Sequence, residues 1–165
     1  MNVCGIMVSK EKSTRFPHKN RKLFEQNLNI LIDVCGKNNV YMFTDDAVIA
    51  EKCKENGVAI IPKTENFDDE FCYLDALRFT FFSIEKKYDY IVSMQCDSIG
   101  HKKESVIDAI EKLKNDNHAS ECRAFDCNGK QSGFFVFKSE KLPDKWYHMC
   151  AVVSDGREIH YEMEL

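Results

Sequence analysis

Short apolar runs alternate with longer amphipathic or polar stretches along most of this chain, and that alternation is its most informative feature. Asn2–Val8, Val40–Phe43, Val58–Ile61 and Tyr90–Met94 are each four to seven residues, mainly apolar and bounded by polar or turn residues. Runs of that length and setting read as strands buried on both faces. Between them, Ala47–Glu55 predicts a helix that stops at Asn56-Gly57, with Thr44 or Asp45 as its cap. Asp68–Glu85 predicts the longest helix, because Phe71, Leu74, Leu77, Phe81 and Ile84 recur at spacings of three and four. Glu104–Lys114 predicts another that buries Val106, Ile107, Ile110 and Leu113. Leu23–Val34 is only weakly helical by the same criteria. Residues 119–125 and 132–138 read as strands around an Asn128-Gly129 turn, and Ala151–Val153 as a last strand.

Strands alternating with helices up to about residue 115, then a hairpin, predict an α/β fold. The expected sheet is mainly parallel, with helices on both faces and some antiparallel pairing near the C-terminus. No repeat, linker or low-complexity tract interrupts the pattern, so residues 1–165 read as one domain. In such sheets ligands bind beyond the carboxyl ends of the strands. Three polar segments fall there: Ser9–Asn20, Thr44–Asp46 and Gln95–Ser98.

Composition narrows the partners. The chain is 44% hydrophobic, enough for a packed core, and its longest apolar run, Met149–Val153, is five residues where a membrane span needs about 20. With no basic stretch leading into an apolar one at the start, a soluble cytoplasmic protein is expected. The eight cysteines form no Cys-x-x-Cys pair, which argues for core thiols in a reducing compartment and against zinc. Cys4, Cys53 and Cys72 fall on expected buried faces, whereas Cys96, beside Asp97, is expected to react. The five histidines show no metal-site spacing. A net charge of −4 speaks against a nucleic-acid partner, yet residues 10–22 alone carry +5. One basic loop in an acidic protein points to a small local anion site.

That loop holds Lys10, Lys12, Arg15 and Lys19 around Ser13 and Thr14, just past the first strand. Cations with main-chain N–H groups in such a place suit a polyphosphate, although the Walker A spacing is absent. Asp97, shortly past the Tyr90–Met94 strand, is placed to hold Mg²⁺ against phosphate oxygens or to cap a turn. Asp45 and Asp46 offer the same choice, and there the cap is favoured.

Together these segments resemble the cytidylyltransferases that activate acidic sugars, the CMP-sialic acid and CMP-KDO synthetase family. The family signature after the first strand runs Arg-Gly-Gly-Ser-Lys-Arg-x-Pro-Gly-Lys-Asn. Here Lys10-Glu11-Lys12-Ser13-Thr14-Arg15-Phe16-Pro17-His18-Lys19-Asn20 stands in its place. Thr44-Asp45-Asp46 resembles the family's Ser-Thr-Asp, Gln95-x-Asp97 its Gln-x-Asp, and Asn128-Gly129 with Gly133-Phe134-Phe135 its Asn-Gly-aromatic strand. The resemblance implies a Rossmann-like nucleotidyltransferase fold and an enzyme that transfers CMP from CTP to a sialic acid- or KDO-like sugar, releasing pyrophosphate. It implies Lys10, Ser13, Arg15 and Lys19 at the triphosphate, Asn20 at the nucleoside, Gln95 at the sugar or base, and Lys10, Lys19 and Asp97 as the catalytic set. It also implies Mg²⁺ on Asp97, with Glu158 at the position of a terminal metal-binding Asp-x-Asp.

Several positions depart from the family pattern. Glu11-Lys12 replaces paired glycines, His18 replaces another, and His160 stands where the family has its last aspartate. The stretch where relatives build a dimerisation arm is short, which implies a monomer or a dimer formed differently. The alternative that these departures imply is a catalytically degenerate nucleotide- or sugar-binding relative.

Overall fold

The computed structural model describes residues 2–10, 17–65, 67–68, 71–142 and 149–165. Along these, β1 (Val3–Ser9), α1 (Lys19–Cys35), β2 (Val40–Thr44), α2 (Ala47–Glu55), β3 (Ala59–Pro62), α3 (Tyr73–Phe82) and β4 (Tyr90–Met94) follow in turn. Then come β5 (Ser98–Ile99), α4 (Lys103–Asn115), β6 (Glu121–Phe125), β7 (Gln131–Lys138), β8 (Met149–Val153) and β9 (Arg157–Glu158). The main sheet runs β3-β2-β1-β4-β7-β6-β8, and β5 pairs with β9 apart from it.

The first four strands of that order are parallel to one another. β7 is antiparallel to both β4 and β6, and β8 closes the edge parallel to β6. The expected mixture is therefore present, with the antiparallel part where the hairpin pattern put it. Gly129 makes the β6–β7 turn at φ 77°, a conformation that favours glycine. The Asp126 carboxylate fastens that turn by accepting from the N–H groups of Asn128 and Lys130.

Two apolar cores lie on opposite faces of the sheet. Phe24, Leu28 and Leu31 of α1, Ile49 and Cys53 of α2, and Val106, Ala109, Ile110 and Leu113 of α4 fill one. Ala76 and Leu77 of α3 join Phe43, Phe71, Phe135 and Phe137 in the other. Each large side chain so buried contributes roughly 1.5–3 kcal/mol. Among the described residues no helix is long and apolar enough to cross a membrane.

Local expectations fail in instructive places. α1, read as weakly helical, is the longest helix at 17 residues. Its apolar row is interrupted by the buried Asn27, and it is held by packing where propensity alone is poor. α3 covers only 10 residues of the longer expected span. Ile107 faces outward, and Ala109 takes its place in the core. Of the residues expected to cap α2, Asp46 does so, its carboxylate accepting from Val48 and Ile49 N–H, while Thr44 and Asp45 do not. Cys72 is exposed, and Cys96 is buried with its thiol donating to Val8 O.

Candidate active site

Strand order reverses between β1 and β4: the chain leaves β1 toward β2 and β3 on one side, while β4 lies on the other. The carboxyl ends of these two strands therefore flank the crevice in which ligands of such sheets bind. α1 begins there. Its first residue, Lys19, extends its ammonium group to Asp97 Oδ2 at 2.6 Å, and both side chains are mostly buried. Lys19 is thus the first residue of a helix and one half of an ion pair, where the sequence had it in a basic loop. Before it, His18 adopts φ 54°, ψ 29° without capping the helix through its side chain. A left-handed conformation favours glycine, and glycine is what the family signature has at this position.

The segment between β4 and β5 is gripped from several sides. Gln95 N–H donates to Gly133 O of β7, and Asp97 O accepts from Ile159 N–H just beyond β9. Gly133 sits at φ 100°, and a Cβ there would come within 2.5 Å of Ser98 Cβ, so only glycine lets β7 approach this closely. Ser98 in β5 pairs with Glu158 in β9, which brings Glu158 beside Asp97 across more than sixty residues of chain. Burial raises the Glu158 carboxyl above its ordinary range, and the Asp97 charge raises it further, against smaller opposing effects of His160 and Lys19. The His160 ring Nε2 is 3.6 Å from Glu158 Oε2.

Of the residues the sequence singled out, Lys19, Asp97 and Glu158 converge. Lys10 lies to one side, its ammonium 4.7 Å from the centre of the Phe71 ring. Asn20 ties the end of β1 to α1, donating to Ser9 Oγ and Lys10 O at 3.1 Å each. The Gln95 side-chain oxygen reaches toward Gly133. Ser13 and Arg15, like Glu11, Lys12, Thr14 and Phe16, lie outside the described residues. Asp46, besides capping α2, accepts from Arg21 Nε at 2.7 Å, and Asp45 accepts from Lys63 at 3.1 Å.

Two residues around the site, Asn27 and Tyr73, escaped the sequence reading. Asn27 donates to Gln95 O and Ser98 O from within α1. Tyr73, at the start of α3, hydrogen-bonds Ser93 Oγ under the site, and burial drives its phenol well above the ordinary tyrosine range, with Cys96 and Asp97 adding to the rise. The only signal for Asn27 was one amide in an apolar row, whereas Gly133 stood in the sequence reading within the Asn-Gly-aromatic strand.

As a cation site the arrangement fits a partial cage. Among the described residues no three His, Cys, Asp or Glu side chains converge on one point. Asp97 and Glu158 supply two carboxylates whose mutual repulsion a divalent ion would relieve. Mg²⁺ commonly takes only one or two carboxylates and completes its shell with water and substrate phosphates.

No family model and no curated protein matches the sequence. Solved structures do match it in shape. The chain is similar to a CMP:2-keto-3-deoxy-manno-octonic acid synthetase complexed with CTP, at TM-score 0.77 and 11% identity over 99% of this chain and 95% of that one. It is similar to the inositol-1-phosphate CTP transferase from T. maritima, at TM-score 0.72 and 10% identity over 100% and 91%. It is also similar to glucosyl-3-phosphoglycerate synthase from Mycobacterium tuberculosis, solved with Mn²⁺, UDP and glucosyl-3-phosphoglycerate, at TM-score 0.69 and 8% identity over 99% and 74%. At such identities the likeness is one of fold: this is a Rossmann-like nucleotidyltransferase fold.

Proposed function

We propose that the chain, as one nucleotidyltransferase-like unit, transfers CMP from CTP to an acidic sugar of the sialic acid or KDO class and releases pyrophosphate. The observation that carries this reading is the meeting of Lys19, Asp97 and Glu158 at the crevice between β1 and β4. A sugar hydroxyl attacking the α-phosphorus of CTP builds negative charge on phosphate oxygens, so positioning and neutralisation do most of the catalysis. Lys19 has three N–H donors, and Asp97 engages one, which leaves two for phosphate. The His18 side chain does not cap α1, which would leave first-turn N–H groups to serve as anion donors. By the resemblance, Lys10 and Arg15 would add positive charge and Ser13 a hydroxyl donor at the triphosphate, Asn20 would contact the nucleoside, and Gln95 would face the sugar or base. Asp97 and Glu158 would hold Mg²⁺, which supplies charge neutralisation at the phosphates when bound.

The fold is shared with an enzyme solved with UDP, and His160 beside Glu158 is a poor partner for Mg²⁺. These two observations favour, as the second reading, a relative that binds nucleotide or sugar without turnover. Calorimetric titration of CTP with and without Mg²⁺, followed by a pyrophosphate-release assay with sialic acid and KDO, separates the two. Metal-dependent binding and release with one of these sugars is the expected result. Binding of CTP without release would establish the second reading, and tighter binding of a UDP-sugar than of CTP would overturn the first.

A further inference from the structure

Asn27 is fully buried, in a helix row otherwise made of Phe24, Leu28 and Leu31. A carboxamide taken out of water costs free energy unless its polar atoms are paired, and here one of them is not: Asn27 Oδ1 has no partner among the described residues. A leucine would pack this row with less penalty, so the amide is explained by what its nitrogen does. Asn27 Nδ2 is 2.8 Å from Gln95 O, 2.8 Å from Ser98 O and 2.9 Å from Ser98 Oγ. Its two hydrogens thus grip both ends of one four-residue segment, with one hydrogen shared. The orientation is forced, because the carbonyl oxygen in that place would face two other carbonyl oxygens.

Inside the gripped segment stand Cys96 and Asp97. Other ties to it are Gln95 N–H donating to Gly133 O, Ile159 N–H donating to Asp97 O, the Cys96 thiol donating to Val8 O, the Lys19–Asp97 ion pair and the short β5–β9 pairing. Two side chains of α1 reach the segment: Lys19 pairs with the Asp97 carboxylate, and Asn27 holds the main chain on either side of it. One rigid helix therefore carries both Lys19 and the clamp on the loop that presents Asp97.

We infer that Asn27 is a positioning residue, clamping the Gln95–Ser98 segment so that the Asp97 carboxylate is held against Lys19 and beside Glu158. Its importance to turnover rests on the function proposed above; the clamp itself does not.

Cys96 reports on the clamp without any ligand, since it lies within the segment and is buried. Native-state alkylation of wild type, Asn27→Ala and Asn27→Ser is followed residue by residue by mass spectrometry, with rates normalised to the exposed Cys127. In wild type, Cys96 should be as protected as Cys4 and Cys53. In Asn27→Ala it should label at least ~10-fold faster while Cys4 and Cys53 stay protected, the signature of a local opening. Asn27→Ser leaves a smaller cavity and a shorter donor and should fall between. In CTP turnover with Mg²⁺, Asn27→Ala should lower kcat with KM for CTP changed less than about twofold, as for a group that matters chiefly in the transition state. Cys96 remaining protected in both variants overturns the inference. So does equal loss of protection at Cys4, Cys53 and Cys96, which would make Asn27 a general core residue. Selective release of Cys96 in a protein that turns over no sugar supports the clamp and counts against the proposed function alone.

Discussion

Lys19 and Asp97 hold each other at 2.6 Å in a mostly buried setting, so removing either leaves a charge without its partner. Lys19→Gln takes away the ammonium proposed to face phosphate, and CTP binding in the presence of Mg²⁺ should weaken by at least ~10-fold in a calorimetric titration. Asp97→Asn keeps the shape and loses the charge, and turnover should fall by at least ~10²-fold. CTP binding without metal should change little in that variant, since the carboxylate serves the cation and not the nucleotide. Glu158 behaves differently. Its carboxyl is raised by burial and by Asp97, so the folded state holds its proton more tightly than the unfolded chain does. Stability from this group is thus greatest at low pH and is lost as pH rises from the ordinary value of 4.5 upward. Glu158→Gln removes that penalty, and the variant should melt at a higher temperature than wild type at neutral pH while losing Mg²⁺ affinity. A lower Tm for Glu158→Gln at pH 7 would mean that the carboxylate is stabilised where it stands.

At the scale of elements, the turn before β9 rests on His101. Its Nδ1 lies 2.8 Å from Ser154 Oγ, its ring meets Phe134 edge-on, and a Cβ on Gly156 would come within 2.0 Å of it. Burial lowers its pKa from 6.5 to about 4. The unfolded chain therefore takes up a proton that the folded one refuses, and stability is lost as pH falls from about 6.5 to about 4. The loss amounts to roughly 3 kcal/mol over that window. Urea denaturation at a series of pH values should show this slope, and His101→Gln should flatten it. Because β9 carries Glu158, acid should loosen the site before the main sheet. Elements also show where the sequence was readable. β4 and α2 lie where the apolar runs and turn residues put them, since short buried strands and a capped helix end are local signals. α1 was not readable as the longest helix, because its amide at residue 27 answers to β4 and β5 and not to its own periodicity.

For the molecule as a whole, the eight cysteines sort by burial. Cys4, Cys53, Cys96 and Cys122 are buried, Cys72 and Cys127 exposed, and Cys35 and Cys150 between. Burial pushes the Cys53 and Cys122 thiols up to about 12, and those of Cys4 and Cys96 higher still. Native alkylation at neutral pH should therefore mark Cys72 and Cys127 first and leave the four buried thiols for last. Early labelling of Cys96 in wild type would contradict both its burial and the packing of the segment that bears Asp97. This reverses the reactivity expected of Cys96 from its neighbour in sequence, because reactivity follows solvent access and not proximity to a functional residue.

From the sequence alone came the α/β class, the positions of most strands, the hairpin with its Asn128-Gly129 turn, and the three polar segments beyond strand ends. All of these follow from periodicity, turn chemistry and chain order, which act over a few residues. Tertiary structure decided which of those segments meet. It set Lys19 on Asp97, brought Glu158 alongside through the β5–β9 pairing, put Arg21 on Asp46 and Lys10 on Phe71, and turned Asn27 inward as a clamp. Each of those outcomes depends on contacts between residues far apart in the chain, and a pattern read within a short window carries no record of its distant partner.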